Sequence, residues 1–307
     1  MAALACVAAY DRLHAAQQDN NPDFLLAAMV APNRLLPIAR FAKGTWSNHW
    51  PMPAQPGAAP SLKQIPAAWL GGPVPLEWRV WRSRADTSTV RVTGVAVDSG
   101  GCSGSEQLLL EYEPKLGAAP VASAEIGLAV TKGRAIDSVD RLEKSSPWRR
   151  TADPAIERVL RDNEARIFEQ ARAQPPWAGE ALSDTDLQAL QTQIEWVYRS
   201  TAGDTYFFEA AKRTTRQAKP FGLVIRGWLK RDPKAGFVAV GLTGAIFGES
   251  SAEADGQPVW IPRAVIGVGP RPFWIFSERG YESLQYSIRE LRANDVVQLL
   301  TASAGGC

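Results

Sequence analysis

Residues 44–53 read GTWSNHWPMP and bring together two tryptophans, an asparagine and one of the chain's two histidines. In an extended chain successive side chains alternate, so Trp46, Asn48 and Trp50 share one face and Thr45, Ser47 and His49 the other. A Trp-Asn-Trp face can stack on two sugar rings or clamp a peptide, the amide between the rings fixing orientation. It serves equally as a packing edge, kept from further pairing by the prolines that follow. A second aromatic stretch, LEWRVW at 76–81, puts Leu76, Trp78 and Val80 on one face and Glu77, Arg79 and Trp81 on the other. Trp46, Asn48, Trp50, Glu77, Trp78, Arg79 and Trp81 together form the candidate surface for a carbohydrate or peptide ligand. The competing expectation is that the four indoles are core.

Acid–base chemistry is confined to a few carboxylates. In QLLLEYE, Glu111 and Glu113 project from one strand face about 6.6 Å apart by strand rise. That borders the separation used by inverting glycosidases, although E-x-E is also common on wet strand faces. Glu77 beside two tryptophans and Glu209 in YFFEAA would have raised pKa values if buried, the alternative being a surface residue or a satisfied ion pair. With His14 and His49 alone, no multi-histidine metal site can be assembled, and a serine or cysteine hydrolase would depend on His49. There is no GxSxG elbow and no GxxxxGK[ST] loop, and GVGPRP (267–272) has proline where a nucleotide-binding helix should begin. No cofactor and no metal are implied.

Of the three cysteines, Cys6, Cys102 and Cys307, none is spaced for zinc or for a CxxC redox pair. Cys102 in SGGCSGS and Cys307 in AGGC are glycine-flanked. In an oxidising compartment they are expected to bond, with Cα atoms within about 7 Å, the alternative being two free thiols. Residues 1–19 begin with an apolar run that no Lys or Arg precedes, and read as a secretion signal or the first turns of an amphipathic helix. No later stretch approaches the ~18 to 20 apolar residues of a membrane-spanning helix. Over 307 residues the formal charge is +2, from 34 basic and 32 acidic side chains, which gives no electrostatic case for nucleic acid. The densest basic cluster, AKRTTRQAK with Lys212, Arg213, Arg216 and Lys219, reads as a solvated rim between strands.

These residues need elements to hold them. Prolines punctuate 20–75, which reads as an extended covering segment with one or two short strands. Period-2 strands follow at 76–81, 89–97, 107–113 and 124–130. The spacing then predicts two amphipathic helices. The first, near 153–173, has Asp153 as N-cap, Pro154 at the first position and a stripe of Ile156, Val159, Leu160, Ile167, Phe168 and Ala171. The second, near 184–199, opens at Ser183 with Asp186 and carries Leu187, Leu190, Ile194 and Val197. Strands resume over 205–290, with GFVAVGL, apolar on both faces, expected at the sheet's centre. The expected class is α+β, two antiparallel β-rich regions of sandwich or meander type joined by the helix pair. The segments are 1–19, 20–150, 151–203 and 204–307. Functionally the chain reads as a non-catalytic, secreted or periplasmic domain that binds or scaffolds. The alternatives are a carboxylate-dependent hydrolase of glycoside type and a cytoplasmic structural or interaction protein.

Overall fold

The computed structural model describes residues 23–31, 33–50, 61–66, 69, 77–81, 87–98, 107–113, 127–131, 136–173, 184–201, 203–216, 219–247, 259–280 and 283–304. The first strands are β1 (Phe24–Ala31), β2 (Arg34–Ala42), β3 (Thr45–Ser47), β4 (Glu77–Trp81), β5 (Thr87–Asp98), β6 (Gln107–Glu113) and β7 (Leu128–Thr131). In the order β1-β7-β4-β5-β6-β2 they close on themselves through β1–β2 pairing, giving an antiparallel barrel. β3 pairs with the far end of β2. Closure leaves no open edge in the ring, which is the main way an all-antiparallel sheet avoids adventitious pairing.

Over residues 24–42 the proline-punctuated segment is therefore no covering layer. β1 and β2 are walls of the barrel, and every residue of FLLAAM is buried. Leu25, Ala27 and Met29 point inward toward Trp78, Val92 and Leu110, while Phe24, Leu26 and Ala28 point outward into a second core. A strand covered on both faces reads as a continuous apolar run and shows no alternation. Pro37 is accommodated because the β1–β2 register shifts between Leu26 and Ala27, a bulge that spares the strand one ladder bond.

The second sheet comprises β8 (Asp137–Arg141), β9 (Thr192–Ser200), β10 (Thr205–Arg216), β11 (Lys219–Asp232), β12 (Gly236–Phe247), β13 (Val259–Val268), β14 (Arg271–Gly280), β15 (Ser283–Leu291) and β16 (Val296–Ser303). Its order is β12-β11-β10-β9-β8-β13-β14-β15-β16. The sheet curls into a half-barrel. Phe207 on β10 and Phe276 on β14 have β9, β8 and β13 between them, yet their ring centroids lie 5.0 Å apart. Trp228 of β11 likewise meets Trp274 of β14 edge-on at 6.4 Å. Aromatic side chains thus fill the concave face. On the convex side the barrel packs against β13–β16 through Phe24, Phe41, Ile266, Phe273, Ile275 and Ile288. Arg271 ties the two sheets further, pairing with Glu290 at 2.5 Å and donating to the Gly44 carbonyl at 3.0 Å.

Over β9–β12 the convex side is covered by a helix, α1 (Pro147–Ala173). Its buried stripe contains Ile156, Val159, Leu160, Ile167, Phe168 and Ala171, as the spacing predicts. It starts earlier than expected. Ser146 stands at the cap position and Pro147 is the first helical residue, where its missing amide costs no bond. Asp153 is inside the helix, bound to Arg149 Nε at 2.5 Å.

The expected α+β architecture is corrected by these observations. A short helix α2 (Asp184–Ala189) follows the Ser183 signal, but the remainder of the expected second helix is strand β9. The β9–β10 register jumps from Glu209↔Trp196 to Ala210↔Ile194, so a bulge at Glu195 returns Ile194 and Val197 to one face. An i, i+3 apolar pair across a bulge has the spacing of a helix turn, which is why the period misleads. The helices do not join two β regions either. β8 precedes α1 and β9 follows it, and the two pair within one sheet, so α1 is an excursion from that sheet. GFVAVGL is also relocated: β12 is an edge strand, apolar on both faces because α1 covers one side and the aromatic interior the other.

Candidate functional site

The aromatic residues singled out from the sequence are divided by the barrel wall. β4 alternates as expected, with Trp78 inside the barrel and Trp81 in the core between the sheets. Trp46 joins Trp81's side, packed against Phe24, Phe41 and Phe273 at 5.2–5.5 Å between centroids. Strand β3 ends at Ser47, and beyond it the alternation lapses. Trp50 therefore packs with the barrel-interior core, edge-on to Trp69 at 5.4 Å, its indole donating to the Leu108 carbonyl at 2.7 Å. Trp46, Trp50 and Trp81 are half-buried and Trp78 is fully buried. Asn48 and Arg79 are exposed, Arg79 lying over the Trp81 ring at 4.5 Å. Glu77 is half-buried and pairs with Arg91 at 3.8 Å. Glu111 and Glu113 share the outer face of β6, with Glu111 paired to Arg34 at 3.4 Å. Cys102, Cys307 and residues 1–19 lie outside the described residues. Among the described residues no cluster of His, Cys, Asp and Glu could hold a metal ion, and no helix is long and apolar enough to cross a membrane.

A small-molecule-sized recess with a buried charge lies elsewhere among the described residues, between α1 and the convex face of the curled sheet. The helix approaches closest at β12, where Gly244 admits it: a Cβ there would stand 2.7 Å from Ile167 Cγ2 and 3.0 Å from its carbonyl. At its first turns the helix is anchored by the buried Arg149, which donates to the Ile194 carbonyl at 2.8 Å. Between these contacts the helix stands off β9–β11, leaving a cavity of about 260 Å³. Its floor is Leu160, Ile167, Phe168 and Ile225, with the half-buried Ile194 at one side. Glu157, Arg161 and Thr192 are exposed at the rim. Lys212 is the charge at the inner end. Only 4% of the residue is exposed, its ammonium pairs with Glu164, and it stands 5.3 Å from the centroid of Phe168. Glu164 itself is 41% exposed, so the buried cation is neutralised from the solvent side.

Lys212 belongs to the basic run that reads as a solvated rim. Its neighbour Arg213 does sit at the surface, bidentate to Glu195 at 2.6 and 2.9 Å. The signal for Lys212 was strand parity. Phe208 and Ala210 face α1, and the same alternation carries Lys212 to that buried face.

A second charged group occupies the concave interior. Arg226 pairs with Glu209 at 2.6 Å and Arg289 with Glu278 at 2.8 Å, all four residues being buried. Trp260 lies between the pairs, with the guanidinium carbons 4.7 Å (Arg226) and 3.6 Å (Arg289) from its ring centroid. Gln285 and Ser287 also donate to Glu278. Burial pushes the Arg289 guanidinium below its usual value, opposed by the attraction of Glu278. Each carboxylate of this group has a cation, and the shared Trp260 ring connects the β10–β11 pair with the β14–β15 pair. Glu209, the conditional acid of the sequence, is thus a salt-bridged core residue.

Compared with known protein families, curated proteins and solved structures, the chain matches none.

Proposed function

We propose that the protein is a non-catalytic binding module whose ligand occupies the recess between α1 and β9–β11. The observation that carries this reading is the recess itself, an apolar floor closed on the inner side and ending at a buried ammonium. Recognition sites combine these two features, apolar area for affinity and a few placed polar groups for orientation. Its volume equals that of about nine waters, which suits a fragment-sized molecule rather than a polymer. The buried charge of the recess, Lys212, is held in an ion pair with Glu164, an arrangement suited to receiving an anionic group.

Isoleucine δ1-methyl NMR tests the reading, because Ile167, Ile194 and Ile225 all line the recess while Ile38, Ile65 and Ile275 report on remote cores. Titration with 3-phenylpropan-1-ol is expected to move the three recess methyls saturably and leave the remote ones in place. Methyls that do not respond to this probe or to its carboxylate analogue would refute the proposal.

A further inference from the structure

We infer that the recess selects a small carboxylate with an apolar body, the ligand's carboxylate replacing that of Glu164 on Lys212. The inference rests on the binding reading above and adds the chemical class of the ligand.

The argument follows from where the charges sit. The buried end of the recess is cationic, and the acidic groups are toward solvent: Glu157 is exposed and Glu164 is 41% exposed. A ligand that fills the apolar floor brings its polar end to Lys212. Taking the Glu164 carboxylate off this buried ammonium without returning a negative charge is unfavourable, so a neutral ligand leaves Glu164 in place and shares the cavity with it. A carboxylate ligand meets no such limit. It restores the same charge-assisted contact, and Glu164 swings outward to be rehydrated. Arg161 precedes Glu164 by three residues and also lines the recess, so the displaced carboxylate has a cation within one helical turn. Exchanging one carboxylate for another is close to neutral electrostatically. The net gain is then the apolar body of the ligand, covered by Leu160, Ile167, Phe168 and Ile225. A cationic ligand has no equivalent, because it would bring a second positive charge to the inner end.

Three probes separate the contributions: 3-phenylpropanoate, 3-phenylpropan-1-ol and acetate, each titrated into the full chain and followed at the Ile167, Ile194 and Ile225 methyls. The expected result is that 3-phenylpropanoate binds at least fivefold tighter than the alcohol, with acetate weaker than both. Glu164→Gln removes the competing anion from a partly exposed position and is expected to tighten 3-phenylpropanoate about tenfold while changing the alcohol less than twofold. Lys212→Met is expected to abolish the preference for the acid and retain alcohol binding. Equal affinity for acid and alcohol in the wild-type protein, or no tightening in Glu164→Gln, overturns the carboxylate exchange and leaves the binding module standing. Should neither phenylpropyl probe bind, the functional reading itself falls. The Glu164→Gln arm keeps the test decisive if Lys212→Met fails to fold.

Discussion

Tyr286 offers the sharpest test of how the barrel and the curled sheet share a core. The residue is 1% exposed, sits among Phe273, Ile275 and Ile288 between the two sheets, and its buried hydroxyl has no hydrogen-bond partner among the described residues. Burial pushes its pKa from 10.0 up to about 12, against the opposing pull of Arg263 and Arg279. Tyr286→Phe keeps the ring and removes the unpaired hydroxyl, which should stabilise the protein by about 1 kcal/mol near neutral pH. The pH dependence adds a second, independent number. A hydroxyl that holds its proton more tightly folded than unfolded contributes its full stability below the unfolded value of 10.0 and loses it as pH rises toward about 12. At about pH 11 the unfolded tyrosine is mostly ionised and the folded one is not, so the wild-type protein loses about 1.4 kcal/mol more than the phenylalanine variant. Tyr198 and Tyr206 are also raised by burial, but they are common to both proteins and cancel in the difference. Urea unfolding of the two proteins at about pH 7, 9 and 11 measures both quantities, the gap widening only at the last. A gap that stays constant to pH 11 would show that the hydroxyl is hydrated in the native state. A variant less stable by 1 kcal/mol or more at neutral pH would show that the hydroxyl has a partner.

Arg289→Met leaves Glu278 buried with only Gln285 and Ser287 as donors, and should cost about 3–5 kcal/mol in urea unfolding. A loss under about 1 kcal/mol would mean that water reaches the concave interior. The Trp46→Ala, Trp50→Ala double variant removes two half-buried rings from separate cores together with the indole bond to Leu108, and should lose about 3 kcal/mol or more. Near-native stability would return those rings to the solvent as a binding face.

Local pattern carried far into this chain, and its reach is visible element by element. QLLLEYE and GFVAVGLTGAIF are β6 and β12 to the residue, and the apolar stripe of α1 is the one its spacing predicts. The DPKAG turn (232–236) follows from equally local chemistry: Asp232 Oδ1 accepts from the amides of Lys234 and Ala235 at 2.8 Å, and Gly236 takes φ +81°. Each of these depends on residues within a few positions of one another, so periodicity and turn chemistry determine them. Strand β9 mimics a helix turn across its bulge, and β16 has a bulge of its own at Leu299.

What only the tertiary structure decided is which face of each strand is covered and by what. A strand's alternation shows that it has two faces, yet whether β12 is central or an edge follows from α1 lying over it. Barrel closure depends on β1 meeting β7 about a hundred residues away, and the curled sheet depends on β8 meeting β13 at a similar distance. The candidate site belongs to this second class. Lys212 is an unremarkable basic residue in sequence. It becomes the buried end of a recess because Gly244 lets the helix close on one side of the sheet and Arg149 pins its first turns, with no described residue between them filling the space over β10. Charge burial is set by what stands above a residue in space, and chain-distant packing alone supplies that.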